Sequence, residues 1–156
     1  MSSAFKNMFD DSAIYSSKMI SRLTKDGFIT TNDVEIKGPI ILLNGDLFMW
    51  DVPQGQGLGQ IKDGKGGVFD NWIINFLKLF EVVIPRPELL IFGTGKSFIP
   101  IPSHIKQYLN DLGIQTEIVD TSNAIATYNV LAEEGRMVAA ALLPLTPTSA
   151  RTGNPL

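Results

Sequence analysis

The chain has 156 residues, with 13 Lys or Arg against 16 Asp or Glu, a formal net charge of −3. That balance supplies no field to hold a phosphate backbone, so nucleic acid is not expected as a partner. Zero Cys removes disulfides, thiolate nucleophiles and nearly all structural zinc schemes, and a single His excludes a histidine metal cluster; no metal and no cofactor are expected.

Residues 1–20 carry several Ser and Asp without a clear period and are expected as a flexible arm. Phe5, Met8 and Phe9 give that arm a spacing suited to a short docking helix. Neither a secretory signal nor an Arg-rich transit peptide is read there, and no apolar run reaches the roughly 18 residues of a spanning helix. Residues 21–145 are expected to form a single globular domain.

From Gly27 the texture is β. Phe28-Ile29-Thr30, a Thr31-Asn32-Asp33 turn and Val34 to Lys37 precede Gly38-Pro39 and the apolar run Ile40 to Leu43. Asn44-Gly45 followed by Leu47 to Trp50 is a hairpin signal, because both central positions of a type I′ turn need positive φ. The spacing predicts one antiparallel meander over 27–52. Residues 53–67 hold six Gly and little that packs, which predicts a flexible loop. Asp70 then caps a predicted helix in which Trp72, Ile73, Phe76, Leu77 and Phe80 form one apolar face, and Pro85 with Pro87 ends the segment.

The C-terminal half reads as a βαβαβ unit with three buried strands. A strand over 89–92 is followed by a helix from an N-cap at Ser103 to Leu112, stopped at Gly113. A strand over 114–119 leads to a helix from near Asn123 to Gly135. The strand 136–143 is apolar on both faces, as a covered central strand would be. Residues 146–156, rich in Pro, Thr and Ser, are expected as a flexible tail. The fold class is therefore α/β, with a meander packed on a βαβαβ half.

Candidate chemistry collects at two turns after successive strands, where open α/β sheets gather ligands. Gly93-Thr94-Gly95-Lys96-Ser97 resembles a nucleotide-binding fragment. A dinucleotide fingerprint needs Gly where Phe98 stands, and a P-loop needs Gly where Leu90 stands. Pro100 and Pro102 also remove two backbone donors from the following loop. Asp120, Thr121, Ser122, Asn123 and Thr127 form the polar group at the second turn, where Asp or Thr would cap the following helix. Asp120 lacks a second carboxylate or His to divide acid and base roles, so a helix cap is the simpler reading. His104 is expected at an exposed helix start, and Arg136 beside Glu133 and Glu134 at a solvated helix end. If a ligand binds, its contacts would be Gly93, Thr94, Gly95, Lys96, Asp120, Asn123 and Thr127.

The order Gly38-Pro39, Phe92-Gly93-Thr94-Gly95, Asp120-Thr121 with Asn123-Ala124 and Thr127-Tyr128-Asn129, then Glu134-Gly135-Arg136 and Ala140 to Pro144, resembles the respiratory complex I assembly factor 3 family. Its bacterial and archaeal relatives are mostly of unknown function. The resemblance runs from about Gly27 to Pro144. It implies a three-layer β/β/α domain and a non-enzymatic role. It also implies binding to assembly factor 4 and early quinone-module subunits, peripheral to the matrix side of the inner mitochondrial membrane. The stretch 54–67 is longer than the connection usual in that family. Two readings follow: an assembly and binding protein, or a small-molecule-binding domain or enzyme using the crevice at the Gly93 and Asp120 turns. A deep polar pocket would favour the second, and a shallow crevice beside an exposed apolar patch the first.

Overall fold

The computed structural model describes residues 19–54 and 74–156. The docking residues of the arm, most of the Gly-rich loop, the Asp70 cap and Trp72 and Ile73 lie outside them. Strands β1 (Ile20–Leu23), β2 (Gly27–Thr30) and β3 (Glu35–Lys37) form an antiparallel three-stranded sheet. Strands β4 (Ile40–Leu43), β5 (Asp46–Met49), β6 (Leu89–Gly93), β7 (Gln115–Val119) and β8 (Val138–Leu142) form a second, mixed sheet in the order β5-β4-β8-β6-β7. The helices are α1 (Leu79–Val82), preceded by a 3-10 turn over Ile74–Leu77, then α2 (Ser103–Asp111) and α3 (Thr121–Glu133).

The α/β class and the layering expected from the sequence are present, but the predicted meander is divided. β3 ends the small sheet and β4 enters the large one, with the crossing at Gly38-Pro39. The Gly38 N–H still bonds to Asp26 in the small sheet, whereas the Pro39 carbonyl already accepts from the Trp50 N–H. Gly38 turns there at φ +88°, and an added Cβ would lie 2.8 Å from the Ala150 Cα. All four residues of β4 are buried, so it needs cover on both faces and neighbours on both sides. It obtains the neighbours by pairing antiparallel with β5 and with β8. Asn44 and Gly45 have φ of +51° and +77°, as the hairpin requires.

The large sheet is covered on both faces. On one side Ile41, Leu43, Leu90 and Phe92 pack with Leu77, Phe80, Ile105 and Leu109. On the other, Ile40, Leu42 and Ile91 pack with Ala124 and Tyr128 of α3 and with Ile20 and Phe28 of the small sheet. The Ala residues of β8 alternate between these two cores, and their small side chains let layers approach from both sides. Each fully buried Phe or Leu contributes about 1.5–3 kcal/mol.

Other expectations are corrected. The strand after the first helix is not buried. β7 is an edge strand whose Gln115 and Glu117 are exposed. The predicted helix ending near Phe80 is, over its described part, a 3-10 turn and one α turn, although Leu77 and Phe80 are fully buried as its apolar face required. Pro102, not Ser103, stands at the N-cap of α2, and α3 starts at Thr121 rather than Asn123. Ile20, assigned to the arm, is a buried residue of β1. The tail is anchored rather than free, because Thr148 is fully buried. Its backbone N–H and carbonyl bond to the Gln54 side chain at 3.1 and 2.6 Å.

Candidate functional site

The two turns singled out in the sequence follow the parallel neighbours β6 and β7, so they meet at the carboxyl ends of these strands. Gly93, the last residue of β6, lies against the start of α3. A Cβ there would fall 2.9 Å from Thr121 Oγ1 and 3.0 Å from Thr121 Cα, which only a residue without a side chain tolerates.

Much of the backbone of this turn is engaged. The Leu143 N–H donates to the Gly93 carbonyl at 2.9 Å, the Thr94 N–H to Val119 at 2.9 Å, and the Thr121 N–H to Gly95 at 2.9 Å. The Thr94 hydroxyl donates to the Ser97 carbonyl at 2.6 Å and accepts from the Ile99 N–H at 3.1 Å. The Thr121 hydroxyl, fully buried, accepts from the Gly95 N–H at 2.8 Å and donates to the Leu143 carbonyl at 2.6 Å. A Gly95 N–H satisfied in this way is not presented to a phosphate.

Asp120 is the N-cap of α3. Its carboxylate accepts from the Asn123 backbone N–H at 3.2 Å and from the Asn123 side-chain amide at 2.5 Å. These bonds favour the ionised form, and the Asn123 amide above all holds the Asp120 carboxyl below its usual range. A general base working near neutrality would need the opposite shift.

Of the seven candidate contacts, Thr94, Gly95 and Lys96 line one cavity of about 120 Å³, closed by Leu143, Pro144 and Pro147. Asp120 and Asn123 are joined to each other but do not line it. Thr127 sits about 10 Å further along the helix axis, at 1.5 Å per residue, and does not line it either. Gly93 belongs to the turn beneath. The cavity is smaller than the roughly 300–1,000 Å³ usual for small-molecule sites. On the loop beside it Phe98 is 59% exposed. His104, exposed as expected, lies in the first turn of α2. Arg136 pairs with Glu88 at 3.1 Å on the surface, not with Glu133 or Glu134. Among the described residues no three His, Asp or Glu side chains converge to hold a metal, and no helix is long and apolar enough to cross a membrane.

Thr121, expected in the polar group as a possible helix cap, instead ties the Gly95 N–H to the Leu143 carbonyl, a role across two turns that the sequence does not show. Its only signal was a hydroxyl just after a capping Asp, a place where Thr is unremarkable.

Residues 20–143 match the model of a family described as "Protein of unknown function (DUF498/DUF598)". The chain is 30% identical over 147 residues to the NADH dehydrogenase (ubiquinone) 1 alpha subcomplex assembly factor 3 of Xenopus tropicalis, covering 86% of this chain and 72% of that protein. The human protein of the same name is 32% identical over 113 residues, covering 72% of this chain. The chain thus spans 60% of the bovine and 54% of the human relative's length. An uncharacterized protein of Rhodobacter capsulatus is 41% identical over 69 residues, covering 44% of this chain and 56% of that one. Among solved structures, a Bordetella pertussis protein described as a Mth938-like domain superposes with a TM-score of 0.62 at 21% identity. It covers 88% of this chain and 90% of its own.

Proposed function

We propose that this chain, which belongs to the DUF498/DUF598 family together with the assembly factor 3 proteins, serves the assembly of respiratory complex I as a non-catalytic binding protein. The observation that carries this reading is the 30% identity to a protein of that name over 86% of the chain. The site supports it, because Thr94 and Thr121 are used in tying the turns together and Asp120 with Asn123 in capping the helix. What the turn presents outward is Phe98 beside a small cavity of about 120 Å³. A rigid loop ending in an exposed aromatic suits a protein contact, where such residues concentrate binding energy. The partners in this reading are early quinone-module subunits and assembly factor 4, met on the matrix side of the inner mitochondrial membrane. The chain would be peripheral to that membrane.

A second reading keeps a small ligand in the 120 Å³ cavity, contacting Thr94, Gly95 and Lys96 and leaving out Asp120, Asn123 and Thr127. One experiment separates the two. The tagged protein is recovered from mitochondria of its source, its companions are identified by mass spectrometry, and bound small molecules are extracted from the same sample. Enrichment of quinone-module subunits and assembly factor 4 without a ligand is expected. A stoichiometric small molecule without those subunits would overturn the assembly reading in favour of the cavity.

A further inference from the structure

Two sheets leave four edge strands, β1, β3, β5 and β7, and three of them are guarded. β1 has an irregular register between Ile20 and Arg22, β3 is three residues long and carries Glu35 and Lys37, and β7 carries Glu117 at its centre. Bulges, shortness and charge are the usual protections of a sheet edge. β5 lacks them. Its sequence is Asp46-Leu47-Phe48-Met49, with the one charge at its start, and Phe48 and Met49 are 39% and 59% exposed.

The register of β5 shows which backbone groups are free. The Trp50 N–H bonds to the Pro39 carbonyl, and Phe48 lies opposite Ile41 in the same ladder. In an antiparallel ladder alternate residues turn their backbone toward the partner, so Asp46, Phe48 and Trp50 face β4 and Leu47 and Met49 face outward. Among the described residues nothing pairs with the outward backbone groups of Leu47 and Met49.

We propose that β5 pairs antiparallel with β5 of a second copy of this chain about a two-fold axis at Phe48, joining the two five-stranded sheets. That register sets Leu47 opposite the second copy's Met49, and Met49 opposite its Leu47, as hydrogen-bonded pairs that satisfy all four free groups on each strand. Phe48 then faces its own copy at a non-hydrogen-bonded position, where side chains come closest and an aromatic pair adds stability. Asp46 falls opposite Trp50, so no like charges meet. The same operation on β7 fails. There Gln115 bonds to Glu88 and Val119 accepts from Thr94 on the β6 side, which leaves Thr116 and Ile118 facing outward and the two-fold at Glu117. Self-pairing would oppose Glu117 to its copy, a destabilising contact. The same surface patch serves both subunits, so the assembly closes as a dimer.

The test is the mass of the full chain in solution by sedimentation equilibrium, up to about 1 mM, which reaches a dimer of millimolar Kd. A monomer–dimer equilibrium is expected for the native chain. Phe48→Lys and Phe48→Asp should each be monomeric, and an equal mixture of the two should regain the dimer, because only the two-fold at residue 48 sets the opposite charges face to face. Phe48 is partly exposed, and circular dichroism on each variant checks that the fold is kept. A native chain that stays monomeric throughout overturns the proposal. So does a dimer that survives both single variants, or a mixture that stays monomeric while both variants are folded.

Discussion

The Thr121 hydroxyl is buried with two partners. Replacing Thr121 by Val keeps the shape but strips the Gly95 N–H of its acceptor and the Leu143 carbonyl of its donor, both in a closed turn. Leaving buried polar groups unpaired costs about 1–3 kcal/mol each, so Thr121→Val should lower unfolding free energy by at least about 2 kcal/mol in urea titrations, while Thr121→Ser loses far less. An equal loss in both variants would place the stabilisation in packing and not in the hydroxyl. Asp120 acts differently, through charge. Its folded-state carboxyl lies below the ordinary value of about 3.9, so its contribution is present above that pH and fades as pH falls through the folded value. Asp120→Ala should cost about 0.5–2 kcal/mol at pH 7, and the gap between native and variant should narrow on acidification below about pH 4. A gap that stayed constant down to pH 2 would show that the ionised cap is not its source.

Elements were legible in the sequence where their cause is local. The Asn44-Gly45 hairpin needs two positive φ angles, Gly113 and Gly135 end their helices in the left-handed region, and the apolar run of β8 needs cover on both faces. What the sequence could not carry was the partner of each element. Nothing near Ile40 says that it will pair with Leu142 rather than with β3, and that choice split the predicted meander. The tail failed for the same reason. Pro, Thr and Ser read locally as unpacked chain, yet Thr148 is held by Gln54 from 94 residues away, and Ala150 packs against Gly38. Within the candidate site, the Asp120 cap was legible because its partner is three residues on, whereas the role of Thr121 depended on a turn 26 residues distant. The anchoring makes its own prediction. Gln54→Leu removes both bonds to the Thr148 backbone, so limited proteolysis should cut within 146–156 in the variant under conditions that leave the native tail whole. Equal cleavage of the two proteins would mean that the tail is held by packing alone.

At the scale of the molecule, one mixed sheet bears both cores, and its strands differ by their place in it. β6 and β8 are central, paired on both sides and covered on both faces, so their amides should exchange only through global unfolding. The outward amides of the two edges, Leu47 and Met49 on β5 and Thr116 and Ile118 on β7, should exchange much faster in dilute solution. The edges are then distinguished by concentration. If β5 meets a second copy, raising the protein concentration slows Leu47 and Met49 while Thr116 and Ile118 stay fast, because opposed Glu117 carboxylates keep β7 apart. Slowing at both edges would indicate general association, and slowing at neither would leave β5 open to a different strand. The contrast matters for the assembly reading too. An edge closed by self-pairing is withdrawn from other proteins, so a partner of the dimer would be left with surfaces such as the Phe98 loop, which lies after β6 on the far side of the sheet order from β5.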